Sequence, residues 1–524
     1  MTKGTRGTLK PATTAQRLSA IIKSCRDIMR KDRGLSGDVD RLPMLTWILF
    51  LKFLDDMEEV HRAEAELGGK RYRPVIAPPY RWRDWAGKAD GLTGDALIDF
   101  ISGQEVSGPD GDRIPGLFAY LRSLQGAEGG DRRDVVRTVF QGVANRMLNG
   151  YLLREILTKV DSIHFSSSEE IHTLSHLYET LLREMRDAAG DSGEFYTPRP
   201  VVQLMVRLVN PRLGEKVLDP ACGTGGFLME SFEHLKRQCV KAEDMNRVQR
   251  GSLAGIEAKP LPYLLCQMNL TLHGLDAPDI DFGNALRFPL HEIGEKDRVD
   301  VILTNPPFGG EEERGILANF PPDRQTSETA LLFLQLIMRR LRRPSPHNPT
   351  GGRAAVVVPN GVLSAEGVGD RIKGDLLREF NLHTVVRMPR GVFSPYTPIP
   401  TNIIFFDRAH PTRDTWFLEV PLPDERKQFT KSSPLATQDF VECLAWWHDR
   451  SETDFALRRS VESLVQRHPD GSERINLDVR RPARELELTK ESSSELRDEI
   501  VRGVENVSRV MKQIAALTRE SQNE

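Results

Sequence analysis

Short apolar runs alternate with longer amphipathic segments between about Val217 and Phe406, as strands and helices do when they follow each other along a chain. The clearest run is Val299–Thr304, which is rich in β-branched residues and stops at Asn305-Pro306-Pro307-Phe308. A continuous apolar run bounded by turn residues is typical of a parallel strand that is covered on both faces. The alternation therefore predicts an α/β fold.

The chain before this alternation has a different pattern. Residues from about Thr13 to Leu157 look helical, apart from a Gly/Asp-rich loop around Gly126–Asp131, and carry none of the motifs that occur later. Trp47–Leu54 is apolar but shorter than the roughly 20 residues that a membrane span needs, so it predicts a buried helix. After this block, Ser167 and Glu170 form a capping box that predicts a helix up to Arg186.

The pattern weakens after about Arg408, and as far as Ala483 the charged, irregular chain predicts no particular element. The segment that follows has apolar residues alternately four and three positions apart, which is the a/d seam of a helix that packs on other helices. These positions are Leu496, Ile500, Gly503, Val507, Val510, Ile514 and Leu517, and only Gly503 interrupts the apolar seam. The helix packs either on its own domain or against a partner subunit.

Length and composition indicate a large soluble protein. A chain of 524 residues, 39% hydrophobic and 28% charged, is too long for one core and predicts two or three domains. The N-terminus lacks the apolar core of a signal peptide. Five scattered cysteines argue for a reducing compartment and against a metal cluster, so we expect a cytoplasmic protein without a metal.

The charge balance limits how the protein could bind nucleic acid. Neutralising phosphates supplies most of the affinity of a protein that grips DNA unaided, and such proteins are usually basic. This chain has a net charge of −3 and a pI near 6.5. If DNA is the substrate, we expect another subunit to supply part of the DNA-binding affinity.

Asn305–Phe308 lies where open α/β sheets bind ligands, at the carboxyl end of a strand. Pro306 and Pro307 have no N–H, so they end the strand's hydrogen bonding, and their fixed φ stiffens the turn. The loop presents one amide side chain, backbone carbonyls and one aromatic ring. These groups can hold a planar substrate by its exocyclic amino group and stack on its face. Taken alone, the four residues also fit an ordinary proline-rich strand exit.

A glycine-rich turn lies upstream. Glu215–Asp219 predicts a short strand, and Pro220–Leu228 predicts a turn into a helix, with glycines at 223, 225 and 226. Glycines let the backbone pass close to a ligand, and a helix N-terminus offers unpaired N–H groups. The spacing fits the dinucleotide pattern G-x-G-x-x-G poorly. A tight turn without a ligand is the alternative, and Cys222 is interpreted as a small filler residue.

The next predicted strand, Leu253–Glu257, ends in a second acidic residue. A carboxylate at the tip of this strand can accept both ribose hydroxyls of a nucleoside-bearing cofactor. A solvated glutamate at a strand end is the alternative.

These elements resemble those of known methyltransferases. The D-x-x-x-G-x-G-G form of Asp219–Gly226 resembles the S-adenosylmethionine (AdoMet) loop of class I methyltransferases. Ile280–Leu286 resembles their third loop, where a polar side chain, here Asn284, meets the cofactor's adenine. An AdoMet loop that precedes N-P-P-F is the order found in the gamma group of amino-methylating DNA methyltransferases.

The resemblance covers essentially the whole chain. Glu194–Arg199, Asn381–Phe393 and Thr401–Phe406 resemble segments of the modification (M) subunit of type I restriction-modification systems. The resemblance implies a class I, AdoMet-dependent methyltransferase with a Rossmann-like mixed sheet. It divides the chain into a helical N-terminal domain (1–160), a catalytic domain (161–483) and a C-terminal helix for subunit assembly (484–524).

The implied reaction is methyl transfer from AdoMet to N6 of a flipped adenine in DNA. The implied catalytic residues are Asn305, Pro306, Pro307 and Phe308. The residues implied to bind the cofactor are Glu194, Phe195, Tyr196, Thr197, Pro198, Arg199, Asp219, Ala221, Gly223, Thr224, Gly225, Gly226, Phe227, Glu257, Asn284 and Ala285. Thr197 and Pro198 also fit a helix start, with Thr197 as the N-cap and Pro198 at the first helical position.

The resemblance also implies partners and leaves alternatives. A specificity (S) subunit would read the DNA sequence, with two M subunits per S subunit, and a restriction subunit could accompany them. A stand-alone N6-adenine DNA methyltransferase would need a recognition module near residues 408–483. Protein-glutamine and RNA amino-methyltransferases also use N-P-P-[FY], and a non-catalytic module with the same fold is a further alternative.

Overall fold

The structure is a computed structural model that describes residues 14–69, 71–108, 111–126, 131–164, 197–309, 312–393, 397, 399–422, 428–430, 432–480 and 501. Several predicted features lie outside these residues. They are the capping box of Ser167 and Glu170, the candidate site residues Glu194, Phe195 and Tyr196, and the apolar seam between Leu496 and Leu517.

The N-terminal block is mainly helical, as its sequence predicts. Its elements are α1 (Thr14–Met29), α2 (Asp38–Leu67), α3 (Trp82–Trp85), α4 (Gly94–Ser102), the hairpin β1 (Glu105–Ser107) and β2 (Arg113–Pro115), α5 (Leu117–Ser123), α6 (Arg132–Gln141) and α7 (Gly150–Asp161). Trp47–Leu54 lies within α2, and all of its side chains are buried. Lys52 is accommodated there because its ammonium group pairs with Asp56 at 2.7 Å. The predicted buried helix is confirmed.

A nine-stranded sheet forms the centre of the rest of the chain. Its strands are β3 (Val217–Asp219), β4 (Leu253–Glu257), β5 (Asp279–Phe282), β6 (Val301–Thr304), β7 (Arg353–Pro359), β8 (Asn381–Arg387), β9 (Thr401–Asp407), β10 (Asp414–Glu419) and β11 (Ala456–Ser460). They lie in the order β5-β4-β3-β6-β7-β9-β8-β10-β11. β9 is antiparallel to both of its neighbours and β11 is antiparallel to β10, whereas the other neighbouring pairs are parallel. The predicted mixed sheet is confirmed.

Helices cover both faces of this sheet. They are α8 (Arg199–Val209), α9 (Gly226–Lys236), α10 (Ala242–Gln249), α11 (Pro260–Leu272), α12 (Arg314–Leu317), α13 (Thr329–Arg340), α14 (Asn360–Ser364), α15 (Val368–Glu379), α16 (Val441–His448) and α17 (Val461–Leu464). Because both faces are covered, β6 is buried along its whole length. Its Leu303 joins the apolar core on one face, and its Ile302 joins the core on the other.

Short 3-10 helices at Leu290–Glu292, Glu295–Asp297, Pro322–Arg324 and Thr437–Phe440 complete the connections. Within the part of the chain that the structure describes, no helix is both long enough and apolar enough to cross a membrane.

The sheet continues beyond Phe406, where the sequence pattern ends. β10 pairs with β8 and β11 with β10, and the hairpin β12 (Val465–Arg467) and β13 (Glu473–Ile475) follows. β11 forms one edge of the sheet, where charged residues such as Arg458 and Arg459 are tolerated. The sequence pattern, which predicts no particular element after about Arg408, therefore missed β10 and β11. As an edge strand, β11 needs no continuous apolar run.

Candidate active site

The predicted site residues come together at the carboxyl edge of the sheet. β3, β4, β5 and β6 are parallel neighbours, so their carboxyl ends lie on the same side. Asp219 ends β3, Glu257 ends β4, Asn284 follows β5, and Asn305 follows Thr304 at the end of β6. Four motifs that are separate in sequence thus contribute to one edge, where open α/β sheets bind ligands.

Asn305 directly follows the central strand β6, and the residue as a whole is half-buried. Its Nδ2 donates a hydrogen bond to Thr197 Oγ1 at 3.1 Å. Its Oδ1 is buried and accepts no hydrogen bond from any residue that the structure describes. Buried polar atoms are nearly always paired, so this oxygen is the atom of the site that most clearly needs a donor.

Phe308 places an aromatic ring beside this amide loop. Its ring is half-buried and lies edge-on to the ring of Phe393, with centroids 5.7 Å apart and planes at 81°. Pro306, between Asn305 and Phe308, is buried. The sequence predictions do not include Phe393 among the site residues, although it ends the family-like segment Asn381–Phe393.

The glycine-rich turn has the predicted strand–turn–helix form. Gly223 and Gly225 have φ of +53° and +79°, and Gly225 is the N-cap residue of α9. Residues with a Cβ rarely adopt these angles, which explains why glycine occupies both positions. Gly226 and Phe227 begin the helix, and the Phe227 side chain is buried in the core, so only its backbone could face a ligand.

Glu257 connects the end of β4 to the glycine-rich turn through hydrogen bonds. One carboxylate oxygen accepts the Gly223 N–H at 2.9 Å and the other accepts the Lys259 N–H at 2.8 Å. The side chain is only 6% exposed, and burial raises its pKa. Each carboxylate oxygen has a second acceptor site, so Glu257 can still bind hydroxyl groups.

Asp219 is almost fully buried at the end of β3. One of its oxygens accepts the Ala221 N–H at 3.1 Å. Burial raises the pKa of Asp219 to about 7, because the ionised form is poorly solvated there. Cys222, two residues later, is also buried, and burial raises the pKa of its thiol, which keeps the thiol protonated.

Asn284 and the acidic loop after Phe308 meet at the same edge. Asn284 Oδ1 accepts the Leu286 N–H at 2.8 Å, and its Nδ2 donates to Glu312 at 3.3 Å. Ala285 beside it is buried. The acidic residues that follow N-P-P-F have no explanation in the sequence, and the structure places Glu312 against the predicted adenine-binding loop.

The segment before α8 differs from its predicted local structure. Pro198, rather than Thr197, is the N-cap residue of α8, and no side chain of the described residues caps this helix. The prediction that Thr197 is the N-cap was wrong, because its hydroxyl accepts a hydrogen bond from Asn305 instead. Arg199 forms an ion pair with Glu230 of α9 at 3.0 Å, so its guanidinium joins the starts of two helices.

Asn269 contacts the glycine-rich turn, and the sequence motifs did not predict this role. It lies in α11, where its Nδ2 donates to the Thr224 carbonyl at 2.9 Å. Cys266 of the same helix also packs under the turn, since a Cβ at Gly225 would come within 2.7 Å of its Sγ. Nothing in the local pattern of α11 distinguishes these residues from other buried helix positions.

Comparison with known proteins identifies the family. A sequence model described as N-6 DNA Methylase matches residues 169–483, more than half of the chain. The chain belongs to the N-6 DNA methylase family. A second model, described as the HsdM N-terminal domain, matches residues 18–158 of this N-6 DNA methylase.

Individual relatives are methylase subunits of type I restriction enzymes. The chain is 43% identical to the type I restriction enzyme EcoEI methylase subunit of Escherichia coli, over 89% of this chain and 90% of that protein. It is 61% identical to a crystal structure described as a type I modification subunit from Vibrio vulnificus YJ016, with a TM-score of 0.85 over 92% of this chain and 100% of that chain. A chain from a type I restriction-modification system, in a structure that concerns complex assembly, is 35% identical, with a TM-score of 0.75 over 97% of this chain and 99% of that chain.

The chain is therefore a modification subunit of the type I kind, and its reaction is methyl transfer to N6 of adenine in DNA. The family depends on AdoMet. The predicted class I methyltransferase fold, with a helical N-terminal region, is confirmed. The relatives favour the modification subunit over the stand-alone enzyme and over the protein and RNA methyltransferases.

Proposed function

We propose that methyl transfer takes place at the carboxyl edge of the sheet, with the Asn305 amide holding the target amine. The observation that carries this proposal is the buried Oδ1 of Asn305, which lacks a donor among the described residues. An unpaired buried acceptor costs about 1–3 kcal/mol. A bound amino group would supply the missing donor and remove that cost.

The neighbouring strand ends fit AdoMet. The two left-handed glycines, Gly223 and Gly225, give a ligand close access to the backbone, and the α9 N-terminus supplies N–H groups. Glu257 has acceptor sites left for ribose hydroxyls, and Asn284 lies at the next strand end. We assign the cofactor to these groups together with Asp219, Ala221 and Thr224, and to the segment from Glu194 to Arg199 apart from Thr197, whose hydroxyl contacts Asn305.

The chemistry requires the protein to activate a weak nucleophile. The lone pair of adenine N6 is delocalised into the ring, so the amine attacks poorly while it is planar. Asn305 Oδ1 and the Pro306 carbonyl can each accept one N6–H, which favours tetrahedral geometry and stabilises the positive charge that develops. AdoMet, when bound, supplies an electrophilic methyl group on its sulfonium. No base is needed before attack, because the neutral amine is already the nucleophile. After transfer, the methylated N6 loses one proton to water and becomes neutral.

The target base must leave the duplex to reach Asn305. Flipping a base costs a few kcal/mol. Phe308 can recover about 1–3 kcal/mol of this by stacking on the adenine. Phe393, edge-on to Phe308 at 5.7 Å, holds that ring in place.

The assembly we propose follows the type I pattern. A specificity subunit reads the DNA sequence, two copies of this chain bind each specificity subunit, and a restriction subunit joins where one is present. The net charge of −3 supports this division, because the chain lacks the basic excess of a protein that binds DNA alone. We propose domains at 1–160 and 161–483, an assembly helix at 484–524, and a cytoplasmic location, where the DNA lies.

Transfer of tritium from labelled AdoMet to genomic DNA tests this proposal. The purified chain is assayed alone and with its specificity subunit, and N6-methyladenine is measured after hydrolysis of the DNA. We expect label only with the specificity subunit present. Asn305→Ala should reduce transfer at least about a hundredfold, because it removes an acceptor for the developing charge, while AdoMet affinity by calorimetry stays nearly unchanged.

Equal transfer by wild type and Asn305→Ala would remove Asn305 from the catalytic site. Label with the chain alone would overturn the requirement for a specificity subunit.

A further inference from the structure

We propose that Thr197 is a positioning residue for the catalytic amide rather than a cofactor ligand. This inference rests on the proposed role of Asn305. Thr197 Oγ1 accepts a hydrogen bond from Asn305 Nδ2 at 3.1 Å, although the two residues are 108 positions apart in sequence. The sequence predicted that Thr197 caps a helix and binds the cofactor. Its hydroxyl instead contacts the Asn305 amide, which we propose holds the target amine.

The orientation of this amide decides what it can do. An asparagine side chain has an oxygen end that accepts hydrogen bonds and an NH2 end that donates them, and the two ends have nearly the same shape. Only the oxygen can bind the amino group of the target adenine, because an NH2 end facing it would oppose donor with donor. In the observed arrangement, Thr197 takes the NH2 end, which leaves Oδ1 for the substrate.

The surroundings keep Thr197 in place. Pro198 follows it with φ of −53°, and α8 begins at the next residue. Val201 and Val202 in the first turns of that helix are at most 1% exposed in the core. The hydroxyl is therefore attached to a rigid helix start, which is what the positioning of a catalytic group requires.

Thr197→Val tests the proposal, since valine keeps the shape of threonine but cannot accept a hydrogen bond. In the complex with the specificity subunit, single-turnover transfer at saturating AdoMet should fall about tenfold, the equivalent of one hydrogen bond. The AdoMet Kd by calorimetry should stay within about twofold of the wild-type value. Thr197→Ser, which keeps the hydroxyl, should restore most of the rate.

Thr437→Val is the matched control. Thr437 Oγ1 donates to Gln203 Oε1 at 2.9 Å, so this variant also removes a threonine–amide hydrogen bond to α8, but away from the strand ends. Its transfer rate should be unchanged. The thermal midpoints of all variants show whether each one folds.

Three results would overturn the inference. If Thr197→Val raises the AdoMet Kd and leaves the saturated rate unchanged, Thr197 is a cofactor ligand. If Thr197→Ser is as slow as Thr197→Val, the hydroxyl is not the active group. If Thr197→Val lowers the residual rate of Asn305→Ala further, Thr197 does not act through Asn305. Failure of the proposed function gives a different result. If Asn305 has no catalytic role, the Asn305→Ala variant itself transfers methyl groups at the wild-type rate.

Discussion

Burial in the fold changes the pKa of the Asp219 carboxyl, and this change can be tested through cofactor binding. Burial raises its pKa from 3.8 to about 7, so near neutral pH the carboxyl is only partly ionised without a ligand. AdoMet carries positive charge on its sulfonium and ammonium groups. A cation bound nearby favours the ionised carboxyl, so cofactor binding and loss of the proton should be coupled.

We therefore predict that AdoMet binds about tenfold more weakly at about pH 6 than at about pH 8, because one unit below its pKa only about a tenth of the Asp219 carboxyl is ionised. The full affinity is present above the pKa of the free protein and is lost as the pH falls through it. Calorimetric titration of AdoMet at several pH values measures this effect.

Asp219→Asn is the control for this pH dependence. The amide cannot ionise, so the variant should bind AdoMet more weakly at about pH 8 and show little change between the two pH values. The pKa of Glu257 is also raised by burial, and a pH dependence that persists in Asp219→Asn would assign the effect to another group.

At the scale of elements, the turn from β3 into α9 depends on the conformation of Gly225. This glycine has φ of +79°, and a Cβ there would lie 2.7 Å from Cys266 Sγ. A left-handed residue with a side chain costs about 1–2 kcal/mol, and overpacking adds about 1–3 kcal/mol. Both costs fall on the turn whose backbone we assign to the cofactor.

We predict that Gly225→Ala lowers the free energy of unfolding and weakens AdoMet binding by at least about tenfold, since relief of the clash must move the turn or α11. Denaturant titration and calorimetry measure the two effects. Gly251→Ala is the matched control, because Gly251 has φ of +86° but no atom of the described residues lies within 4 Å of its Cβ position. It should lose only about 1–2 kcal/mol of stability and keep its AdoMet affinity. Equal affinities for both variants would show that the shape of the turn at Gly225 does not matter for binding.

At the scale of the whole molecule, assembly is expected to depend on the C-terminal segment. Its apolar seam predicts a helix that packs on other helices. The described residues between 408 and 480 form strands, two α-helices, a 3-10 helix and a hairpin around one edge of the catalytic sheet. A separate recognition module is therefore not found in the described part of that segment.

We predict that removal of residues 484–524 abolishes co-purification with the specificity subunit and DNA methylation, while AdoMet affinity stays within about twofold of the full chain. Val507→Asp combined with Val510→Asp should act in the same way, because each places a charge in the seam. Ser508→Asp adds a charge outside the seam and should assemble normally. Pull-down and the transfer assay measure both properties, and normal assembly of the truncated chain would assign the segment to its own domain.

The sequence by itself determined the features that depend on neighbouring residues. The apolar run that ends at Asn305, the glycines at 223 and 225, and the buried helix around Trp47 are all confirmed as local structure. These features follow from backbone angles and from the spacing of apolar residues, which a short segment fixes for itself. The family resemblance rests on the same local motifs.

The tertiary structure alone decided which distant side chains meet. Thr197 reaches Asn305, Asn269 holds the Thr224 carbonyl, and Phe393 lies against Phe308. No local pattern encodes these contacts, because each joins elements whose relative positions are set by packing across the whole sheet. The edge strand β11 was missed for a related reason. An exposed edge allows charged residues, so strand formation there depends on the neighbouring strand rather than on an apolar run.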